Sequence, residues 1–508
     1  MTRDRVQEPL VRDSQGSGRG RLGEAGASMT RRRGLASLCL GLGLGLGLLA
    51  GACSPARPPA GPATGAAVDP PCRPAEPALA LEELDELFGV VRAADAPPAP
   101  AGRPLEPATY RERVDALLDV GAFYDVITPR LFALYAFADV RLTSMLDTGE
   151  TRSGERFYYR QVPCAESELE RVRPWWSPAA EVLVCAADHR PAALASADGA
   201  YSCDMNIFPV PITRAAGCGC GPNLMFCAPF EQAMALGGAV KEEIRRTIQH
   251  VVAADRPLTD LFTMKETVRS GHGELFYARN RFFQTGRFEP PALDEPARLR
   301  PRDPEFSGGL LTTPLFLFFE SRREVIASLW QDTLCTPFRS ARVDPHVLLE
   351  AARADPGLRV KEHLSLASTP GCQNCHSRLE YGSRAFAGWQ NAWFGQHFDT
   401  ALRKGASSTR FYVRDHTDLR GEGPASPAWL GQMIVAQPEF ASCIVGKVLS
   451  FVYEGYDAPP PVRETLVERF RASPRLGPLL ADAVVARSFG AAAMAAGDVR
   501  LPVCKEAR

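Results

Sequence analysis

The chain lacks a dominant charge: 58 Lys and Arg stand against 59 Asp and Glu, for a net charge of −1. Nucleic-acid binders gather Lys and Arg on one face, so a polyanion such as nucleic acid is not expected as a partner. Also lacking are sustained period-two alternation, internal repeats, a phosphate-binding loop, a metalloprotease motif and a Ser-His-Asp arrangement. Strand-rich and repeat architectures and a separate hydrolytic site are thus left without sequence support. The most apolar run, Gly34 to Leu49, is diluted by Gly-Leu repeats and falls short of the ~20 residues that a bilayer-spanning helix needs. What is present is a globular composition, 45% hydrophobic and 23% charged over 508 residues, enough for a substantial core and roughly three domains.

The N-terminal region reads as an export signal. From Met29 the chain runs MTRRRGLASLCLGLGLGLGLLAGAC: a basic cluster, an apolar stretch, then small residues before Cys53. That order is the pattern of a signal peptide, and Ala50-Gly51-Ala52-Cys53-Ser54 is similar to the lipobox of bacterial lipoproteins, which makes Cys53 the expected lipidation site. A plain cleaved signal and a retained membrane helix are the alternatives, and residues 1–28 read as an upstream extension. The general secretory route is expected over twin-arginine export. Of the 14 cysteines, those outside the signal, the lipid site and the pair at 372 and 375 form an even set, which outside the cytosol reads as disulfides.

Domain boundaries follow from composition. Residues 1–52 hold the extension and signal. Residues 53–107 form a Pro/Ala-rich tether, interrupted by a short helical signal at Leu81–Leu87. A helical domain is expected over 108–300, with a Cys-rich irregular insertion at about 160–230 that contains Cys164, Cys185, Cys203, Cys218, Cys220 and Cys227. Ile244, Ile248, Val251 and Val252 fall on one helical stripe, opposite Arg245, Arg246 and Gln249. The Pro-rich stretch near 300 reads as a hinge into a second domain over 301–490, with a tail at 491–508. Within that domain a buried helix is expected from Leu315 to Trp330, and further helices near 384–403, 427–437, 439–453, 461–472 and 476–488. The fold class expected is mainly α: a multi-helix body with a disulfide-rich irregular insertion and a C-terminal helical domain, the one that carries the Cys-x-x-Cys-His motif at 372–376.

The chemistry is concentrated in Cys372-Gln373-Asn374-Cys375-His376. Two cysteines three residues apart lie near one helix face and can form thioethers to the two vinyl groups of one porphyrin, while the adjacent imidazole ligates the iron. Half of a zinc site and an ordinary disulfide region are the alternatives; zinc needs two more ligands, ideally a second close pair. Phe386, Trp389, Trp393 and His397 follow at steps of three, four and four, which on a helix makes an aromatic face, either a haem wall or a core stripe. For the second axial position Met433 is the first candidate, with His397 and His416 as alternatives and an open position remaining.

Several segments together resemble the planctomycete-type cytochrome c family with its associated uncharacterised helical domains. They are TYRERVDALLDVGAFYDVITPRLF, EEIRRTIQHVVAADRPLTDLFTMKETV, FSGGLLTTPLFL with LCTPF, CQNCHSRLEYGSRAF, and GEGPASPAWLGQMIVAQPEFASCIVGKVLSFVYEG. The resemblance covers about residues 108–490 and implies an exported, mainly helical protein with one haem c held by Cys372, Cys375 and His376. Where family members carry an Asp-Pro-Leu-Gly-like run after the histidine, this chain has Leu379-Glu380-Tyr381-Gly382-Ser383. Ser54 beside the lipidated cysteine implies, by lipoprotein sorting, an outer-membrane lipoprotein facing the periplasm. Cys335 and Cys443 flank the haem segment, and with the even count they are expected to be joined.

The function expected is an envelope-anchored c-type cytochrome with one covalent haem iron, passing single electrons to a redox partner protein, an electron-transfer protein more than a catalyst. Two rivals stand beside it. One is a peroxidase-type haem enzyme with His376 proximal and His397 or Arg384 distal. The other is a structural or binding lipoprotein whose haem does not cycle.

Overall fold

Regular helical periodicity in this sequence becomes helix, and short irregular runs become strand. The computed structural model describes residues 81–90, 106–133, 143–160, 162–189, 220–317, 322–338, 367–368, 372–392, 395–398 and 407–490, all within the unit Cys72–Arg508. The signal segment, Cys53, most of the tether and the tail lie outside the described residues. Among the described residues no single helix is long and apolar enough to cross a membrane.

Helices α1 (Leu81–Leu87), α2 (Pro107–Leu118) and α3 (Gly121–Leu131) open the chain. Strands β1 (Ser144–Glu150), β2 (Arg156–Tyr159), β3 (Leu169–Val172), β4 (Val182–Cys185) and β5 (Cys227–Pro229) then form one mixed sheet in the order β3-β4-β2-β1-β5. This corrects the expectation of an irregular insertion. The cross-links are there, Cys164–Cys185 and Cys220–Cys227, but they staple a sheet. Its strands leave no period-two signal because they are short and their burial does not alternate: β2 runs exposed, buried, then half-buried twice, and β4 half-buried twice, then buried twice.

Helix α4 (Phe230–Ala253) is 24 residues long, about 36 Å at the α-helical rise. Its first half, with Ala233 and Leu236, packs into the apolar cluster on the sheet around Trp175 and Val184. Its second half carries the expected stripe, Ile244, Ile248, Val251 and Val252, all buried in the larger helical core. One helix therefore belongs to both cores.

Strand β6 (Glu266–Arg269), helix α5 (Gly271–Thr285) and strand β7 (Arg298–Pro301) follow, with β6 and β7 paired antiparallel. The stretch expected to be a hinge is instead pinned: β7 is sheet, and Phe306, Leu310 and Leu311 beyond it are fully buried. At Gly309, φ is +57°, and an added Cβ would lie 1.9 Å from the Leu261 carbonyl oxygen, so only glycine fits that close approach. The buried helix expected from Leu315 onward appears as α6 (Pro314–Leu317) and α7 (Arg322–Leu334), with 318–321 between them outside the described residues.

Helix α8 (Gln373–Arg384) is followed by a hairpin, β8 (Trp389–Ala392) with β9 (Gly395–Phe398), and then by a second hairpin, β10 (Ser408–Tyr412) with β11 (Leu419–Pro424). The helix expected over 384–403 is thereby corrected. Phe386 lies in the turn after α8, and Trp389, an aromatic residue that suits a strand as well as a helix, pairs with Phe398 across the hairpin. The last four helices, α9 (Pro427–Val435), α10 (Pro438–Val452), α11 (Pro460–Ala472) and α12 (Leu476–Phe489), agree with expectation to within a few residues. Proline at the first helical turn of α9, α10 and α11 starts each where its missing N–H costs nothing. Helix α12 packs on α2, with Tyr110 edge-on to Phe489 at 5.6 Å and Asp482 receiving Arg111 at 2.6 Å and Arg469 at 2.8 Å. The fold is helix-rich with a sheet on one side, and residues on both sides of 300 share the larger core.

A buried polar knot sits where α4, α5 and β6 meet. Glu243 Oε1 accepts from Tyr277 Oη at 2.6 Å and Thr267 Oγ1 at 2.7 Å, and Arg269 lies 4.1 Å over the Tyr277 ring. Burial, outweighing the nearby arginines, holds the Glu243 carboxyl above its ordinary value of 4.5. The folded chain thus keeps a proton that the unfolded chain releases, and this group lowers stability as pH rises from 4.5 towards the folded value. Glu243→Gln keeps an acceptor at Oε1 and is expected to flatten that slope. Urea midpoints measured between about pH 4 and pH 8 check it, and an undiminished fall in the variant would show that the slope comes from other groups.

Candidate functional site

The pair of cysteines and the histidine sit on the first turn of α8. Cys372 occupies the N-cap position with φ −95° and ψ −28°, and its carbonyl accepts from the amides of Cys375 at 3.2 Å and His376 at 3.0 Å. One turn of backbone therefore holds both sulfurs and the imidazole. Cys372 is buried and Cys375 half-buried. The remaining six cysteines among the described residues are consumed in Cys164–Cys185, Cys220–Cys227 and the expected Cys335–Cys443, whereas Cys372 and Cys375 keep their thiols. Two sulfurs this close in a disulfide-rich chain, yet outside any disulfide, are a distinct chemical pair.

His376 is oriented by its own helix. Its Nδ1 lies 2.8 Å from Oε1 of Glu380, one turn on, and the same oxygen receives Arg323 from α7 at 2.7 Å. The Glu380 side chain is only 8% exposed, so this is a sheltered, charge-assisted pair and not a solvated surface contact. A carboxylate at Nδ1 fixes the proton there and presents the Nε2 lone pair, the arrangement that second-layer carboxylates impose on metal-bound histidines. The donor set fits a haem c: two thiols for the porphyrin edge and one imidazole nitrogen for iron. Among the described residues no group of three His, Cys, Asp or Glu converges on a metal position.

The helix is held from two further sides. Gly382 abuts Ile326 of α7, where an added Cβ would come within 2.8 Å of the isoleucine methyl. Opposite, Thr409 of β10 donates to the Tyr381 carbonyl. Arg378 is buried, stacks 3.9 Å over Phe338 and donates to the Val413 carbonyl at 3.4 Å. Burial lowers its pKa, and the neighbouring Cys375 sulfur and Asp415 act against that shift. The guanidinium thus places positive charge beside one of the two thiols.

The other sequence candidates are distributed differently. His416 Nδ1 lies 2.5 Å from Asn374 Oδ1, and Asn374 is two residues from His376, roughly 200° around the helix. Met433 packs its sulfur and methyl on Gly421 of β11, and its carbonyl accepts from Gln437 at 2.7 Å. His397 pairs through its backbone with Gln390 in the β8–β9 hairpin; its side chain and Trp393 lie outside the described residues. Phe386 and Trp389 are core pillars, 5.5 Å from Phe316 and 4.7 Å from Phe306. Arg384 ends α8 with its Nε buried and unsatisfied. Cys53 lies outside the described residues.

No family model, curated protein or solved structure matches the chain. The site therefore rests on its own geometry.

Glu380 and Arg323 are the functional residues that sequence reasoning missed. Glu380 stands four residues after His376, the spacing at which helix side chains meet, so a signal for it exists; Arg323 has no local signal. In the haem-free chain, iodoacetamide under mild denaturation is expected to label Cys375 and Cys372 while leaving the peptides of the three disulfides unmodified. Peptide mapping without reduction checks this, and a Cys372–Cys375 disulfide would contradict it.

Proposed function

We propose that this chain is a c-type cytochrome that holds one haem through Cys372, Cys375 and His376 and passes single electrons to a redox partner in the cell envelope. The membrane attachment in this reading is a lipid on Cys53, with the folded body facing the periplasm from the outer membrane. The observation that carries the reading is the single turn with two thiols and an imidazole, whose Nδ1 is taken by Glu380 while the other described cysteines are disulfide-bonded.

Each residue has a definite task. Cys372 and Cys375 tether the porphyrin, so the group cannot dissociate however weak its other contacts. His376 would offer Nε2 to the iron, while Glu380 at Nδ1 orients the ring and would add electron density to it. Arg323 holds Glu380 in place and moderates its charge. When bound, the haem iron accepts and returns one electron, with a potential set by axial ligand, hydrogen bonding and burial.

The carboxylate on His376 also supports a second reading, a peroxidase-type haem enzyme. An imidazole made electron-rich by Glu380 would favour oxidised iron, and a haem held by His376 without a second protein ligand would supply peroxide chemistry. A carrier with two protein ligands gives a low-spin ferric spectrum and binds cyanide slowly; an open iron does the reverse.

Co-expression with haem-attachment machinery is expected to yield a haem-stained band and an intact mass larger by one porphyrin. Cys372→Ala with Cys375→Ala is expected to abolish both, and a colourless, unmodified wild-type chain would end the proposal. In the loaded protein Glu380→Gln is expected to raise the reduction potential, because the neutral amide no longer stabilises the oxidised iron through His376. Redox titration of the visible spectrum reads this, and an unchanged potential would show that Glu380 does not tune the iron.

A further inference from the structure

A cavity of about 590 Å³ opens between the end of α7, the loop after β10, and helices α10 and α11. That volume lies within the range of small-molecule sites, about 300–1,000 Å³. Its charged lining is Arg414, Lys447, Arg463, Arg471 and Glu439. Four cations face one carboxylate, although the chain as a whole is nearly neutral.

The single carboxylate is already divided. Glu439 Oε1 receives Arg414 at 3.1 Å and Arg420 at 3.2 Å, so it leaves Arg463 and Arg471 without a counter-charge from the lining. Arg471 uses one Nη2 contact on the Pro438 carbonyl at 3.3 Å and retains its other donors. The Arg463 guanidinium reaches over Gly446, where an added Cβ would come within 2.9 Å of Nη2; the glycine makes room for the fork. Lys447 is fully engaged, donating to the Leu131 carbonyl at 2.5 Å, the Asp332 carbonyl at 2.8 Å and Asp332 Oδ1 at 3.2 Å. Its charge is balanced by Asp332, and it supplies no ligand contact. The N-terminal end of α10, whose Pro438 and Glu439 line the wall, adds its own partial positive charge. A concave surface of one sign concentrates potential, and guanidinium forks match planar carboxylate or tetrahedral phosphate oxygens.

We propose that this cavity binds a small multivalent anion carrying two or more carboxylate or phosphate groups, with Arg463 and Arg471 as its principal contacts and Arg414 at the rim. The disulfide Cys335–Cys443 forms part of the same wall, so an occupant touches α7, α10 and α11 together and binds only the assembled body. Binding therefore raises thermal stability by mass action. The cavity makes no use of Cys372, Cys375 or His376, and its occupancy does not depend on the haem reading.

The test is isothermal titration of the purified full chain with citrate and, separately, inorganic phosphate at matched ionic strength, repeated on the Arg463→Ala, Arg471→Ala double variant. Both arginines are exposed on α11, and an unchanged melting midpoint without anion verifies that the variant folds. One-to-one saturable binding of at least one anion is expected, weakened at least about tenfold in the variant, with a rise in melting midpoint that the variant loses. Preference for citrate assigns carboxylate chemistry and preference for phosphate assigns phosphate chemistry. The proposal is overturned by no saturable binding at millimolar anion, by equal affinity in the variant, or by binding of acidic polypeptide such as polyglutamate without either small anion.

Discussion

The position of the thiol turn depends on one helix, α7, and on how firmly it is held. At its end, Cys335 is bonded to Cys443 of α10, and one turn further along α10 the Lys447 ammonium donates to the last carbonyls of α3 and α7 together. A cation at two helix C-termini offsets both dipoles and satisfies carbonyls that have no partner within their own helices. With its end clamped, α7 presents Ile326 to Gly382 and Arg323 to Glu380. The orientation of the His376 ring is thus set by contacts that begin two helices away.

A second constraint joins the sheet to the helical body. Helix α4 is shared by two apolar clusters, and at the change from one to the other lies the Glu243–Tyr277–Thr267–Arg269 knot. Buried polar groups of this kind add little net stability compared with a well-packed apolar replacement, but partners left unmatched are costly. Their effect is to specify one arrangement of α4, α5 and β6, because a slip of α4 by one residue would strand the Glu243 carboxyl in the core and take away the acceptor of the Tyr277 hydroxyl.

Legibility from sequence divides along physical lines. The C-terminal helices are readable because each combines apolar residues at helical spacing with, in three of the four, a proline start. The Cys335–Cys443 bond is readable from position and count. The turn carrying Cys372, Cys375 and His376 is readable because its chemistry is local. The sheet is not, since its strands are three to seven residues long and bury no consistent alternate face. The hairpin after α8 reads as helix because Phe386, Trp389, Trp393 and His397 fall at helical steps, although Phe386 lies in the turn before β8 and Trp389 is the first residue of the strand. Arg323 is invisible for a different reason: its contact with Glu380 exists only after α7 and α8 have packed.

The bond between Cys335 and Cys443 closes a segment of 108 residues, and the two sulfhydryls of α8 lie inside that loop. Among the cysteines that follow Cys335 in a chain made from its N-terminus, Cys372 and Cys375 emerge first, long before Cys443. Native pairing therefore runs against the order of synthesis. Either the inner sulfurs are capped first or an early mispaired bridge is shuffled out, so maturation of this protein is a contest of timing between two sulfur chemistries on one nascent strand.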